Sequence, residues 1–159
     1  VIDRLRTLVK LRIMREQRAQ RLLDTRLAAL RECEAEQRRC ETEREQVGES
    51  LAALRQHIAD LGARNMLTAQ DIADYNLRRL HADNLHMYWE AKTIEAEGAR
   101  LDAQDAWDEA RMGYMRARRE RERAEQMLKR LMDEHARRQE INFEEDAAEI
   151  WRPLLRGPQ

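Results

Sequence analysis

The sequence predicts an all-α protein, a long antiparallel two-helix coiled coil (a helical hairpin) with an overhanging C-terminal helix end. Three observations carry that prediction. The 159 residues are 42% apolar and 38% charged, with only five glycines, two prolines and seven aromatic residues. Arg, Glu, Ala, Leu and Gln dominate, and all are good helix formers. Apolar residues recur at alternating spacings of three and four, the period of a coiled-coil seam. Finally, "LGARNMLTAQDI" (61–72) is the one stretch before residue 150 with the chemistry of a corner. Net charge is only −1. With that regular apolar spacing, it favours order over the disorder that high charge can impose.

Helix one is predicted over 1–61. Its seam runs Ile2, Leu5, Val9, Arg12, Glu16, Ala19, Leu23, Arg26, Leu30, Cys33, Gln37, Cys40, Arg44, Val47, Leu51, Leu54, Ile58 and Leu61. Thirteen of these eighteen are apolar or cysteine, enough to define one face over about eight heptads. The seam is weakest from Arg12 to Arg26, where Leu8, Leu11, Leu22 and Leu27 form a competing stripe. Cys33 and Cys40 are seven residues, or about 10 Å, apart on one helix, too far to bond to each other. They suit core positions in a reduced, cytoplasmic protein; the alternative is a disulfide between two copies.

The turn is predicted over 62–68. Gly62 fits the left-handed residue that closes a helix. Thr68 fits an N-cap, Asp71 sits three residues on to answer it, and Leu67 and Ile72 occupy the staple positions. A connection this short joins antiparallel neighbours. Folding there places residue i roughly opposite residue 130 minus i.

Helix two is predicted over 69–151, with Pro153 as its stop and a short tail over 152–159. Its strongest apolar seam runs Leu77, Leu80, Asn84, Met87, Ala91, Ile94, Gly98 and Leu101. Beyond Asp105 and Asp108 the apolar side resumes in a changed phase with Trp107, Met112, Met115, Ala124, Leu128 and Leu131. Gly98 and Gly113 weaken helix propensity and fit either close approach or bending. The arms are unequal, about 90 Å against about 120 Å, so residues past about 130 overhang. On that overhang Phe143, Ala147, Ile150 and Leu154 recur at helical spacing, with Ile141, Trp151 and Leu155 beside them. Such a stripe folds back, dimerises or meets a partner.

Charge is segregated. Residues 1–26 carry eight basic and three acidic side chains, and 116–130 carry seven and three. Residues 31–49 are acidic by seven to four and 83–109 by eight to two. A hairpin lays the basic stretches together near the chain ends and the acidic ones together in the middle. Like charges brought together either stay solvated or seek an opposite surface.

Catalytic and cofactor chemistry is not visible. There is no glycine-rich phosphate loop, no CxxC and no HExxH. His57, His81, His86 and His135 form no ligand pair at i,i+4. A two-helix rod offers its many carboxylates no enclosed pocket. The expectation is therefore no enzyme, no cofactor, no metal and no small-molecule ligand. Nucleic acid is disfavoured by the net charge and by the lack of a recognisable module. No apolar run reaches 18 residues, so no membrane span is expected, and the opening residues lack the apolar run of a signal peptide.

A basic first helix with "LRTLVKLRIMREQRAQRLL" (5–23), a short turn, and a second helix ending "LKRLMDEHARRQEINFEEDAAEIW" (128–151) resemble the central-stalk proteins of bacterial type III secretion. These are the FliJ, YscO and HrpB-type coiled-coil proteins. The resemblance is one of architecture over nearly the whole chain, with the basic opening and the acidic "EEDAAE" close as its nearest local likeness. It implies a non-enzymatic stalk that enters the pore of a hexameric export ATPase and couples it to the export gate, with substrate chaperones as further partners. It implies a cytoplasmic protein at the periphery of the inner-membrane secretion apparatus, or one that is itself secreted. The basic end formed by Arg4, Arg12, Arg15, Arg18, Arg119 and Arg123 would then face the ATPase or the gate. Phe143, Ile150 and Trp151 are the apolar partner-binding candidates. The competing reading is an independent scaffold or tether that oligomerises through that apolar C-terminal stripe.

Overall fold

The computed structural model describes residues 1–155, with side chains as far as Trp151. Two long helices, α1 (Ile2–Ala63) and α2 (Ala69–Leu155), form a helical hairpin. The side chains of Leu154 and Leu155 lie outside the described residues, as does the end of the tail predicted over 152–159.

The corner between the helices is built from local hydrogen bonds. The Met66 N–H donates to the Leu61 carbonyl and the Asn65 N–H to that of Gly62, at 3.0 and 3.2 Å. This pair closes the helix when the residue after the cap turns left-handed. That residue is Asn65, with φ of 53°. Gly62, expected in the role, is still helical and has no positive φ. Asn can take the left-handed conformation at small cost because its short amide bonds locally, so α1 runs two residues past Leu61 before it stops.

The start of α2 matches its chemistry. The Thr68 hydroxyl accepts from the Asp71 N–H at 3.1 Å, and Asp71 accepts from the Thr68 N–H at 2.9 Å. The hydroxyl also donates to the Asp71 carboxylate at 2.6 Å. This is a capping box with Asp in place of Glu. These bonds hold the Asp71 carboxyl below its ordinary pKa, the Thr68 side-chain bond first and its backbone bond second. At the far end α2 continues through Pro153 to Leu155, past the expected stop near Trp151. A proline so close to the terminus deprives only the Glu149 carbonyl of its helical donor.

The hairpin divides along its length into two compact units, one of residues 23–110 and one of 1–22 with 111–159. In the 23–110 unit α1 buries Leu30 and Cys40, and its seam from Cys33 to Leu61 is otherwise half-buried. Leu54, Ile58 and Leu61 share a groove with Asp71, Asp74, Tyr75 and Arg78, and Val47 and Ser50 share one with His81, Ala82 and Leu85. These pairings follow the register expected from a fold near residue 65. Arg26 is exposed, and Leu27 takes the seam position beside it.

On α2 the observed seam is not the predicted one. Leu77, Leu80, Asn84, Met87, Ala91, Ile94, Gly98 and Leu101 are all exposed. The covered positions are Tyr75, Ala82, Leu85, Trp89, Thr93, Ala96, Arg100, Ala103, Trp107 and Ala110. They repeat at threes and fours too, about 160° round the helix from the leucine stripe. Ranking residues by apolarity selects the stripe with more Leu, Ile and Met. Helix pairing rewards closeness of backbones, which small side chains allow. Thr93 is buried and satisfied, its hydroxyl donating to the Trp89 carbonyl at 2.8 Å.

In the unit of 1–22 with 111–159, Ile2, Leu5, Val9, Arg12, Glu16 and Ala19 are half-buried, as their spacing predicts. Leu8, Leu11 and Leu22, the competing stripe, are exposed. Opposite them α2 covers Tyr114, Ala117, Arg121, Ala124, Leu128 and Leu131, while Met112 and Met115 point outward. Arg12 pairs with Glu120 and Arg121 with Glu16 across the helices. The pairs lie two and seven residues further along α2 than the simple fold-back register predicts. Val1 and the first residues of α1, Ile2 and Asp3, lie beside Leu131, Glu134, His135 and Arg138, and α2 overhangs beyond.

Two paired helices cover only one face each. The chain exposes 13050 Å², against about 8,300 Å² for a compact protein of 18.9 kDa. Large apolar side chains therefore remain in water along both helices.

Candidate functional site

The surfaces left uncovered are the candidates for function. The first is the overhanging end of α2. Ile141, Phe143, Ile150 and Trp151 are all exposed, Phe143 by 75%. Ala147 alone is partly covered. Phe143, Ile150 and Trp151 thus stand together on a helix end that α1 does not reach. Glu144, Glu145, Asp146 and Glu149 alternate with them in sequence.

The second is the basic end. Arg4, Arg15 and Arg18 on α1 and Arg119 and Arg123 on α2 are exposed. Arg12 differs from the rest of its predicted group. It is half-buried in the seam and ion-paired with Glu120. Its job in this structure is to join the helices, and the other five remain exposed. Within the same unit Arg121 bridges Glu16 on the other helix and Glu125 on its own, the latter at 2.7 Å. Such pairs offset part of the repulsion among neighbouring guanidiniums.

The third surface is one that apolar spacing alone does not mark as a surface. It is the exposed stripe of α2 from Leu77 to Leu101, inside the 23–110 unit. Along its borders stand Asp83, Glu90, Glu95, Glu97 and Asp102. Its signal in the sequence is an unbroken three-four spacing, which is equally the signature of an intramolecular seam.

The seam itself holds the two thiols. Cys40 is fully buried and Cys33 is half-buried. Burial pushes the Cys40 thiol up, and the nearby Glu36 carboxylate adds to the shift. Glu36 in turn is held low by its hydrogen bond from Arg39, at 2.7 Å. A raised thiol pKa suits packing rather than nucleophilic chemistry. Among the described residues no cluster of three or more His, Cys, Asp or Glu side chains is placed to hold a metal ion. None of the described helices is long and apolar enough to cross a membrane. No family model, curated protein or solved structure matches the chain.

Proposed function

We propose that the protein is a non-enzymatic coiled-coil scaffold that joins protein molecules through apolar faces left open on its hairpin. The observation that carries this reading is the overhanging end of α2, where Ile141, Phe143, Ile150 and Trp151 stay in water. A folded helix that projects such side chains past its partner gains by covering them, and self-association is the simplest cover. Light scattering tests it. The wild-type chain should associate, and Phe143→Ser with Trp151→Ser should weaken the association at least tenfold. Association that these changes leave intact removes this end from the reading.

A more specific form of the scaffold is the secretion stalk that the sequence resembles. The exposed Arg4, Arg15, Arg18, Arg119 and Arg123 support it, since both helices carry outward guanidiniums in the same unit. A hairpin of this kind would work in the cytoplasm by transmitting position between an ATPase ring and an export gate, with no chemistry of its own. Co-purification with a secretion ATPase, and that enzyme's hydrolysis rate with and without the hairpin, test this form. Binding that survives Arg15→Glu with Arg119→Glu, or no binding at low salt, counts against it.

A further inference from the structure

The apolar stripe of α2 is built like a coiled-coil seam yet faces solvent. Leu77, Leu80, Met87, Ile94 and Leu101 are between 49% and 71% exposed, and with Asn84, Ala91 and Gly98 they keep a strict spacing of three and four over 24 residue steps. Positions next to the stripe decide what can lie on it. On one border stand Asp83, Glu90 and Glu97, and on the other His81, Tyr88, Glu95 and Asp102. Two of these stripes facing each other would set carboxylate against carboxylate in either direction, which rules against a symmetric pairing of stripe with stripe.

The chain also carries a face of the opposite kind. On α1, Arg4, Leu8, Leu11, Arg15, Arg18 and Leu22 follow the same three-four spacing, with Met14 beside them. All are exposed, on a flank of α1 about 100° round the helix from the seam of Ile2, Leu5, Val9, Arg12, Glu16 and Ala19. This face mixes leucine with guanidinium and holds no carboxylate.

We propose that the Leu77–Leu101 stripe of one copy binds the Arg4–Leu22 face of a second copy, so that molecules join head to tail. The proposal deepens the scaffold reading and rests on it, but uses different residues from the α2 end. Leucines at Leu8, Leu11 and Leu22 cover Leu77, Leu80 and the residues after them, while Arg15 and Arg18 reach the bordering carboxylates. The shared length is set by the shorter face, 18 residue steps, or about 27 Å. At a helix width of about 12 Å that is a footprint of roughly 300 Å² per helix. Such a contact lies in the range of weak, transient interfaces. Association is therefore concentration-dependent, and it weakens as salt screens the exposed charges. The contact is heterologous: each joined copy keeps one unused face, so growth continues past the dimer.

Sedimentation velocity on the full chain, from about 10 to several hundred micromolar at low salt, tests this. The wild type should show mass rising past the dimer, with at least a tenfold weaker association at about 0.5 M salt. Glu90→Lys with Glu97→Lys alone should lose this growth past the dimer, and so should Arg15→Glu with Arg18→Glu. All four positions are exposed, and circular dichroism confirms that each variant keeps its helix content. Mixing the two variants should restore assembly, since each supplies the charge the other lost. A wild type that stays monomeric throughout overturns the proposal. So does assembly lost on changing the stripe but untouched by Arg15→Glu with Arg18→Glu, because that is stripe pairing with stripe. Phe143→Ser with Trp151→Ser, run in the same series, separates the two readings. If it alone abolishes assembly, the α2 end is the interface and the stripe is not. If it changes nothing while the charge pairs do, the stripe stands and the end falls.

Discussion

Exchanging the roles of Ile94 and Ala96 on α2 tests the observed seam directly. Ile94 is 67% exposed, whereas Ala96 is 8% exposed and faces α1. An isoleucine in a well-packed core loses about 2–5 kcal/mol on truncation to alanine. Ile94 has only about a third of its surface covered, which scales the loss to roughly 1 kcal/mol. Alanine's better helix propensity returns several tenths of that. Ile94→Ala should therefore change stability by about 0.5 kcal/mol or less. Ala96→Leu forces a branched side chain between backbones held close by small residues, and should destabilise by about 1–3 kcal/mol. The assay is urea unfolding followed by circular dichroism, at concentrations where scattering reports a monomer. The leucine-rich seam read from apolarity alone predicts the reverse order. A loss above about 2 kcal/mol for Ile94→Ala, with Ala96→Leu neutral, would refute the seam described here.

Other outcomes follow from the corner and the seam. A Cβ at Gly113 meets nothing within 4 Å, so Gly113→Ala should raise stability by about 0.5–1 kcal/mol in thermal melts. Asn65→Val places a β-branched residue at φ of 53° and should lower it by about 1–2 kcal/mol. Thr68→Ala should cost about 1 kcal/mol and fray the first turn of α2, read by amide exchange near Asp71. The Asp71 carboxyl is held low in the folded state. Its contribution is therefore complete above its unfolded pKa of about 3.9 and is lost as pH falls through the lower folded value. Protection near the turn, taken relative to the intrinsic exchange rate at each pH, should fall in acid, and Asp71→Asn should flatten that response. Under native conditions an alkylating reagent should modify half-buried Cys33 well before buried Cys40, with mass spectrometry as the readout.

The helices, their corner and the facing side of α1 were legible in the sequence because each has a local or strongly periodic cause. Thr68 and Asp71 are three apart, and their bonds need no tertiary partner. Along α1 the covered positions are also the more apolar ones, so spacing and burial agree from Ile2 to Leu61 with Arg26 as the exception. On α2 they disagree. Between Leu77 and Leu101 its covered face is mostly Ala, Trp and Arg with Leu85 and Thr93, and its open face is Leu, Met and Ile, so apolarity chose the wrong stripe there, whereas Trp107, Ala124, Leu128 and Leu131 are covered as their spacing predicts. Asn65 was missed because glycine is the commoner left-handed residue and Gly62 stood three residues earlier. The Arg12–Glu120 and Glu16–Arg121 pairs depend on register between distant segments, which one strand of sequence does not display. For the interaction surfaces, the α2 end and the basic residues were visible as composition. The α2 stripe became visible only once the true seam had been located elsewhere.

The alanines of α2 repeat with unusual regularity. Ala96, Ala103, Ala110, Ala117 and Ala124 stand seven apart, all on the side toward α1. Sliding α2 by one heptad would set each rung of this ladder where the next had been, at little steric penalty. The ladder draws the helices together but says little about which rung belongs where. That information must come from the irregular parts: the bulky Trp89, Trp107 and Tyr114 among the small side chains, the two interhelical ion pairs, and the closed corner from Leu61 to Asp71. Loosening the corner should free the strands to creep past one another long before they come apart.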